Sequence, residues 1–346
     1  MTNGSLDIAV TGLAAISAAG TGTTPLRTAV ENRTHCLSPV PAEILGEEGH
    51  LWGKAEGFRA ADFMPPLKAR KFDRCSLLAT VAAGMALKDA GIDPKESDPT
   101  RIGIALGCGF GGIANSAELL SGYFTKGIEG LVPMLFPNTV ANAPASNASI
   151  ENGLKGPNVT QVQRFCSAES ALLMACRFLE EGRADVMLTG GVDELNAPML
   201  QGFHAMGQLR GHGRHFGEGS GILVLERKRD AEERGALIKG TVTAVRTVGF
   251  IPPGAEDEAE RRLLGPALPD VVSLSGSAAE TPFLLRDLAP IPTREIAPFV
   301  GRSLAMGGLA LVALLLTLPA GQRGLHLAAS PEGPCFAVDL TGGAPV

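Results

Sequence analysis

Apolar positions along this chain alternate between two spacings. Asp7–Gly20, Arg101–Gly112 and Val271–Thr281 carry apolar runs that end in glycine-rich or small-residue turns, and Val159–Val162 is a short β-branched run after Gly156 and Pro157. Such runs read as buried strands. Between them the period changes. Leu77, Leu78, Val81 and Met85 give Arg70–Gly91 one buried helical stripe, stopped by Gly91 and Pro94. Ala171, Met174, Ala175, Phe178 and Leu179 mark one face of a second helix, with Ser167 as its cap, Glu169 near its start and Gly182 closing it. Leu304–Leu318 is very apolar but is interrupted by Gly307 and Gly308, and it is shorter than the roughly 20 apolar residues a membrane span needs. It reads as a buried helix. Strands and helices alternate throughout without a long polar linker, which predicts an α/β fold in one globular unit.

Composition narrows this further. Of 346 residues, 45% are hydrophobic but only 5% aromatic, so alanine and glycine do much of the close packing. The net charge of −6 argues against nucleic-acid binding. Cys36, Cys75, Cys108, Cys166, Cys176 and Cys335 show no paired metal spacing. Without a recognisable signal peptide they point to reduced thiols and a cytoplasmic location.

The stretch GPNVTQVQRFCSAESALLMACRFLEEGRADVMLTGG, residues 156–191, places a tight turn between a strand and a helix. Unpaired backbone N–H groups and the positive helix end at such a turn lower a thiol pKa and stabilise an oxyanion. This stretch resembles the β-ketoacyl synthase branch of the thiolase superfamily, whose members carry a nucleophilic cysteine there. Counting from Gly156-Pro157-Asn158, or back from Ala184-Asp185-Val186-Met187 and Gly190-Gly191, puts the family cysteine position on Phe165, with Cys166 beside it. Asp7–Gly20, Arg70–Gly91, RIGIALGCGFGG at Arg101–Gly112, Pro137–Asn142 and GEGSGILVLER at Gly217–Arg227 resemble further family segments in the family order.

A working family member also uses two histidines to polarise a thioester and assist decarboxylation. The first, from a His-Gly-Thr sequence, falls on Ser275 in VVSLSGSAAET; the second, from Lys-Ser-x-x-Gly-His, lies in RSLAMGGLAL, which has no histidine. The family's closing loop appears as ASPEGPCF, Ala329–Phe336, whose two prolines lack N–H donors. The resemblance therefore implies a chain length factor: a noncatalytic relative that pairs with an active ketosynthase in a type II polyketide synthase. An enzyme using Cys166, a divergent thiolase-type acyltransferase or condensing enzyme, is the alternative, and a partnerless structural relic a third class.

The family likeness implies a thiolase-like, five-layered α-β-α-β-α fold with two related halves, residues 1–235 and a shortened 236–346. It implies no cofactor and no metal. The partners it implies are a ketosynthase subunit and, mainly through that subunit, an acyl carrier protein with its growing chain. Carried over from Gly111-Gly112, tunnel and chain-length positions fall on Ile113, Ser116 and Leu120, with Phe110 shaping the acyl pocket. Their i, i+3, i+7 spacing equally suits a core stripe. Phe136, Pro137, Thr139 and Asn142 fall at the family's dimer interface, which buries a strand pairing and apolar helices.

Four further readings complete the sequence. VTGLAA around Val10 and LSGSAA around Leu274 look like echoes between the two halves, with Ala231–Lys239 as the hinge. Glu256–Glu260 followed by Arg261 and Arg262 reads as a solvated helix face. His212 and His215 together with His204 form a metal candidate set against the more common reading of exposed loop histidines. His35, His50 and His326 have no recognisable partner.

Overall fold

The computed structural model describes residues 6–210 and 215–344. Ten strands carry the architecture: β1 (Ile8–Ser17), β2 (Ile102–Cys108), β3 (Asn158–Gln161), β4 (Val186–Asp193), β5 (Gly219–Arg227), β6 (Gly240–Val248), β7 (Val271–Gly276), β8 (Thr293–Glu295), β9 (Arg323–Ala329) and β10 (Cys335–Gly342). They are ordered β3-β2-β4-β5-β1 and then β6-β10-β9-β7-β8. Antiparallel pairing of Ile8–Val10 with Gly240–Val242 joins the two sets. Within each set the first strand runs antiparallel to the fifth and the fifth to the fourth, while the second lies parallel between the fourth and the third.

The two halves thus repeat one topology, in which β1 corresponds to β6 and β2 to β7. This corrects the sequence echo. The LSGSAA turn after β7 is the counterpart of the GCGFGG turn after β2, whereas VTGLAA lies inside β1. A short apolar strand with small residues recurs at several points of this chain, so local likeness carried no information about connectivity.

Helices α4 (Ser167–Glu180) and α7 (Gly307–Thr317) lie between the two halves of the sheet. α4 packs on β2, β3 and β4 and also meets β10, while α7 packs on β4 and β5 on one side and β7 and β9 on the other. Both are apolar on opposing faces for that reason. Leu309, Leu311, Val312, Leu314, Leu315 and Leu316 of α7 are all buried, each leucine contributing about 1.5–3 kcal/mol of transfer free energy. The outer layers are α1 (Arg74–Asp89) with α3 (Ala143–Glu151) on the first half and α6 (Glu256–Leu263) on the second. The five-layered α-β-α-β-α arrangement is the expected one.

Burial differs from the single-stripe expectation in α1. The helix starts at Arg74, where Asp73 caps it through Ser76 N, not at Arg70. Because α3 covers it from outside, Ser76 and Leu78–Ala83 are buried around most of its circumference, while Leu77 and Met85 are only partly so. In α6 the acidic run is not wholly solvated either, since Glu260 is buried.

Two glycines set how closely the layers approach. A Cβ on Gly107 of β2 would lie 2.4 Å from Ala168 N, and one on Gly308 would lie 2.4 Å from Gly191 N. Any side chain at these positions would push α4 or α7 off the sheet.

Candidate functional site

The turn between β3 and α4 holds the site. Arg164 adopts a left-handed φ of 52°, which costs a non-glycine residue about 1–3 kcal/mol and is typical of positions held by function. A short 3₁₀ turn, Arg164–Cys166, then leads into α4. Ser167 is not the helix cap expected from sequence. It is the first residue of α4, and its Oγ accepts from Gln163 N at 2.9 Å and donates to Arg164 O at 2.7 Å. The serine braces the turn from inside.

Phe165 is buried among Val40, Leu195, Met199, Leu200, Phe203, Phe216 and Leu304. The Arg302 guanidinium lies 4.5 Å from the Phe165 ring centroid and 5.5 Å from that of Phe216, and Phe216 stacks on Phe203 at 3.9 Å. At the position that the resemblance gives to a thiol, Phe165 is an aromatic ring covered by a cation, an arrangement worth about 0.5–2 kcal/mol. Helix α5 (Ala197–Ala205) supplies Met199, Leu200 and Phe203 to this cluster.

Beneath Phe165 lies a polar network that the sequence did not disclose. His326 Nε2 is 2.8 Å and Ser275 Oγ 2.8 Å from Glu169 Oε1, Ser275 Oγ is also 3.3 Å from His326 Nε2, and Ser273 Oγ is 3.1 Å from His326 Nδ1. The side chains of Glu169 and His326 are 0% exposed. Counting along the Lys-Ser-x-x-Gly-His pattern from Arg302-Ser303 puts its histidine on Gly307. A Cβ there would lie 1.9 Å from Glu169 Oε1. Ser275, the position that the resemblance gives to one family histidine, thus bonds Glu169, and the Glu169 carboxylate fills the space beside Gly307. His326, for which sequence offered no partner, has three.

Cys166 is fully buried, and its Sγ donates to Pro334 O at 3.2 Å in the turn between β9 and β10. Burial, then the nearby Glu169 carboxylate and Cys335, push its thiol far above the ordinary range. A thiol so placed has neither the thiolate nor the access that nucleophilic attack needs. Iodoacetamide applied to the native protein at pH 8 is therefore expected to modify Cys36, the one cysteine that is not buried, and to leave Cys166 intact by peptide mass mapping. Rapid native-state labelling of Cys166 would contradict the geometry.

Two buried carboxylates adjoin the aromatic cluster. Asp193 accepts from Gly109 N and Ala305 N, each at 2.7 Å, and Glu194 accepts from Ala114 N at 3.0 Å. Burial nevertheless pushes Asp193 up to about 6 and Glu194 up to about 7. A carboxyl raised on folding binds its proton more tightly in the native state, so stability grows as pH falls through the folded value and stops growing below the unfolded one. For Asp193, moving from 3.8 to about 6 corresponds to on the order of 3 kcal/mol. Asp185, held down to about 2 by Arg101 and Arg227, acts oppositely at still lower pH. Urea midpoints are expected to be higher at pH 5 than at pH 8; a flat profile would show that the backbone donors offset burial.

The sequence-selected tunnel positions lie along α2 (Ile113–Lys126), in which no residue is buried. Ile113 packs partly against the Phe165 cluster, Ser116 Oγ donates to Gly112 O at 3.2 Å and Thr139 O at 3.3 Å, and Leu120 is exposed. Phe110 is exposed with its ring 6.4 Å from Phe203. These positions form no closed core stripe; they run outward from the Phe165 cluster to the surface. That surface is apolar: Phe124 is 79%, Ile128 81%, Met134 75% and Phe136 65% exposed. In the α2–α3 connection Pro137 and Asn142 are exposed and Thr139 is half-buried. β3 pairs with β2 and ends the sheet.

Of the histidines proposed as a metal set, His212 lies outside the described residues. His204 is not joined by His215; it meets Glu47, as does His50. His35 Nδ1 lies 2.7 Å from Pro298 O. Two signals for the missed network were present in the sequence. Glu169 interrupts the apolar face continued by Leu172, Cys176 and Leu179, and His326 sits between Leu325 and Leu327 in a doubly buried strand. A polar residue in either setting needs a buried partner.

Comparison with known proteins agrees with this geometry. The chain is 30% identical over 241 residues to a 3-oxoacyl-[acyl-carrier-protein] synthase 2 of Staphylococcus aureus, covering 64% of this chain and 60% of the relative. It is 31% identical over 215 residues to the synthase of the same name from Vibrio cholerae, covering 57% and 51%. The matched region thus spans about 60% or less of these curated relatives' length. Among solved structures, a β-ketoacyl synthase from Burkholderia phymatum superposes with a TM-score of 0.84 at 19% identity, covering 97% of this chain and 99% of that one. The ishigamide ketosynthase/chain length factor gives 0.82 at 21%, covering 98% and 100%. A chain from the complex of a type II polyketide synthase acyl-carrier protein with its ketosynthase bound to the hexaketide gives 0.79 at 22%, covering 97% and 99%. The family description "Beta-ketoacyl synthase, N-terminal domain" matches residues 6–231, and with the turn, the layers and the repeated topology in place, this chain belongs to the β-ketoacyl synthase family.

Proposed function

We propose that this chain is the noncatalytic, chain-length-limiting subunit of a ketosynthase heterodimer. The observation that carries this reading is Phe165: the nucleophile position holds a buried ring under Arg302, and Ser275 and Gly307 stand where the imidazoles would be. An aromatic ring neither ionises nor attacks a thioester. The exposed apolar residues of the α2–α3 region and the sheet-ending β3 supply the features of an obligate interface. The cavity beside Phe203 and Phe216 is only about 10 Å³, too small for an acyl chain, so a growing chain would run along α2 between the subunits. The acyl carrier protein would dock mainly on the partner, since this chain is acidic overall.

The alternative based on Cys166 is disfavoured by its burial and its bond to Pro334 O. Coexpression with an intact ketosynthase is the test. A soluble one-to-one complex is expected, while the chain alone is poorly soluble, is not acylated by malonyl or acyl carrier protein, and does not condense. Cys166→Ala in the complex is expected to leave turnover within about twofold. A stable monomer without affinity for any ketosynthase, or loss of most activity in Cys166→Ala with assembly intact, would overturn the reading.

A further inference from the structure

Far from the Phe165 turn in sequence, three side chains converge on a point at the surface. Glu47 Oε1 lies 2.7 Å from His50 Nε2 and 2.8 Å from His204 Nε2. The rings stand edge to face with centroids 5.5 Å apart. Each residue sits on a positioned backbone. The short helix Ala42–Leu45 ends at Gly46 with φ 75°, which turns the chain so that Glu47 faces α5. His50 precedes the short strand Leu51–Trp52, and its carbonyl accepts from Val40 N at 2.9 Å. His204 lies in the last turn of α5, one turn beyond Gln201, whose Nε2 donates to Ile44 O at 2.8 Å.

We propose that Glu47, His50 and His204 form a divalent transition-metal site, best matched to Zn²⁺. Two imidazole nitrogens and one carboxylate oxygen are a donor set suited to zinc, with a fourth position left for water. Zinc–ligand bonds of about 2.0–2.2 Å place neighbouring donor atoms of a tetrahedron about 3.3 Å apart. Here each imidazole Nε2 lies 2.7 or 2.8 Å from Glu47 Oε1 and all three donor atoms fall within 4.8 Å of one another, so each imidazole–carboxylate contact would open by about 0.5 Å. All three side chains are partly exposed, at 52% for Glu47, 23% for His50 and 37% for His204, so an ion reaches them from solvent. A bound ion would clamp the Ala42–Leu45 segment to α5. α5 is also the helix that supplies Met199, Leu200 and Phe203 around Phe165. The inference does not depend on the subunit role proposed above.

Trp52, the chain's only tryptophan, lies two residues from His50 and reports on the site. The full chain, freed of metal with a chelator, is titrated with Zn²⁺ calorimetrically and with Co²⁺ by visible absorption and Trp52 fluorescence. Expected are one-to-one binding at micromolar affinity or tighter, a Co²⁺ spectrum of four- or five-coordinate type, and quenching of Trp52. His50→Ala and His204→Ala should each weaken binding at least about tenfold, given that even supporting residues around a metal are worth 10–100-fold. The double variant His212→Ala/His215→Ala, which removes the other histidines near this part of the sequence, should leave affinity unchanged. Absence of binding, binding that survives loss of both His50 and His204, or binding lost with His212 and His215 instead would overturn the proposal and leave a hydrogen-bonded staple.

Discussion

His326→Ala is expected to lower the stability of this chain by about 3–5 kcal/mol, the cost of removing one member of a buried pair and leaving the other without compensation. The imidazole is fully buried and meets Glu169, Ser275 and Ser273. Its loss leaves Ser275 as the remaining side-chain donor to the Glu169 carboxylate, one oxygen of which already has no hydrogen-bond partner among the described residues. The urea midpoint of the purified protein or complex measures this. Replacing both partners, Glu169→Leu with His326→Leu, should recover most of the loss, because buried polar pairs hold structure chiefly by the penalty of breaking them. A loss below about 1 kcal/mol for His326→Ala alone, or a double variant as unstable as the single one, would show that water or rearrangement satisfies the site. A side chain at Gly307 would displace the Glu169 carboxylate from this network.

Ser116→Phe is expected to shorten the main product of the reconstituted heterodimer, while Leu120→Ala leaves it equal or longer. Ser116 is half-buried between the Gly112 and Thr139 carbonyls, beyond Ile113 at the aromatic cluster and before exposed Leu120. If the acyl path follows this line, a phenyl ring at Ser116 blocks it, because packed surroundings yield little to an inserted ring. Ile113→Phe should stop growth at another length, as it lies about 4.5 Å away along the helix axis. The readout is the product-length distribution with assembly checked for each variant. An unchanged distribution in all three, with complexes that form and turn over, would mean that chain length is set elsewhere.

Much of the fold was legible in the chain because it rests on local patterns. Continuous apolar runs marked doubly buried strands, and the apolar run of α7 marked a helix with no solvent face. The gapless spacing from Gly156 to Gly191 placed Phe165 at the turn, since a strand, a turn and a helix in direct succession leave no freedom of register. What a residue faces across the fold is different information. Glu169 and His326 are 157 positions apart, and Glu47 and His204 equally so. Neither pairing leaves a trace in local periodicity. The burial of Glu260, the near-complete burial of α1 and the true counterpart of the β7 turn likewise depend on which layer packs on which. The sequence by itself determined most of the elements and the family. Only the tertiary structure decided what surrounds Phe165 and Ser275, because a buried carboxylate or imidazole is stable solely through partners that distant segments bring to it.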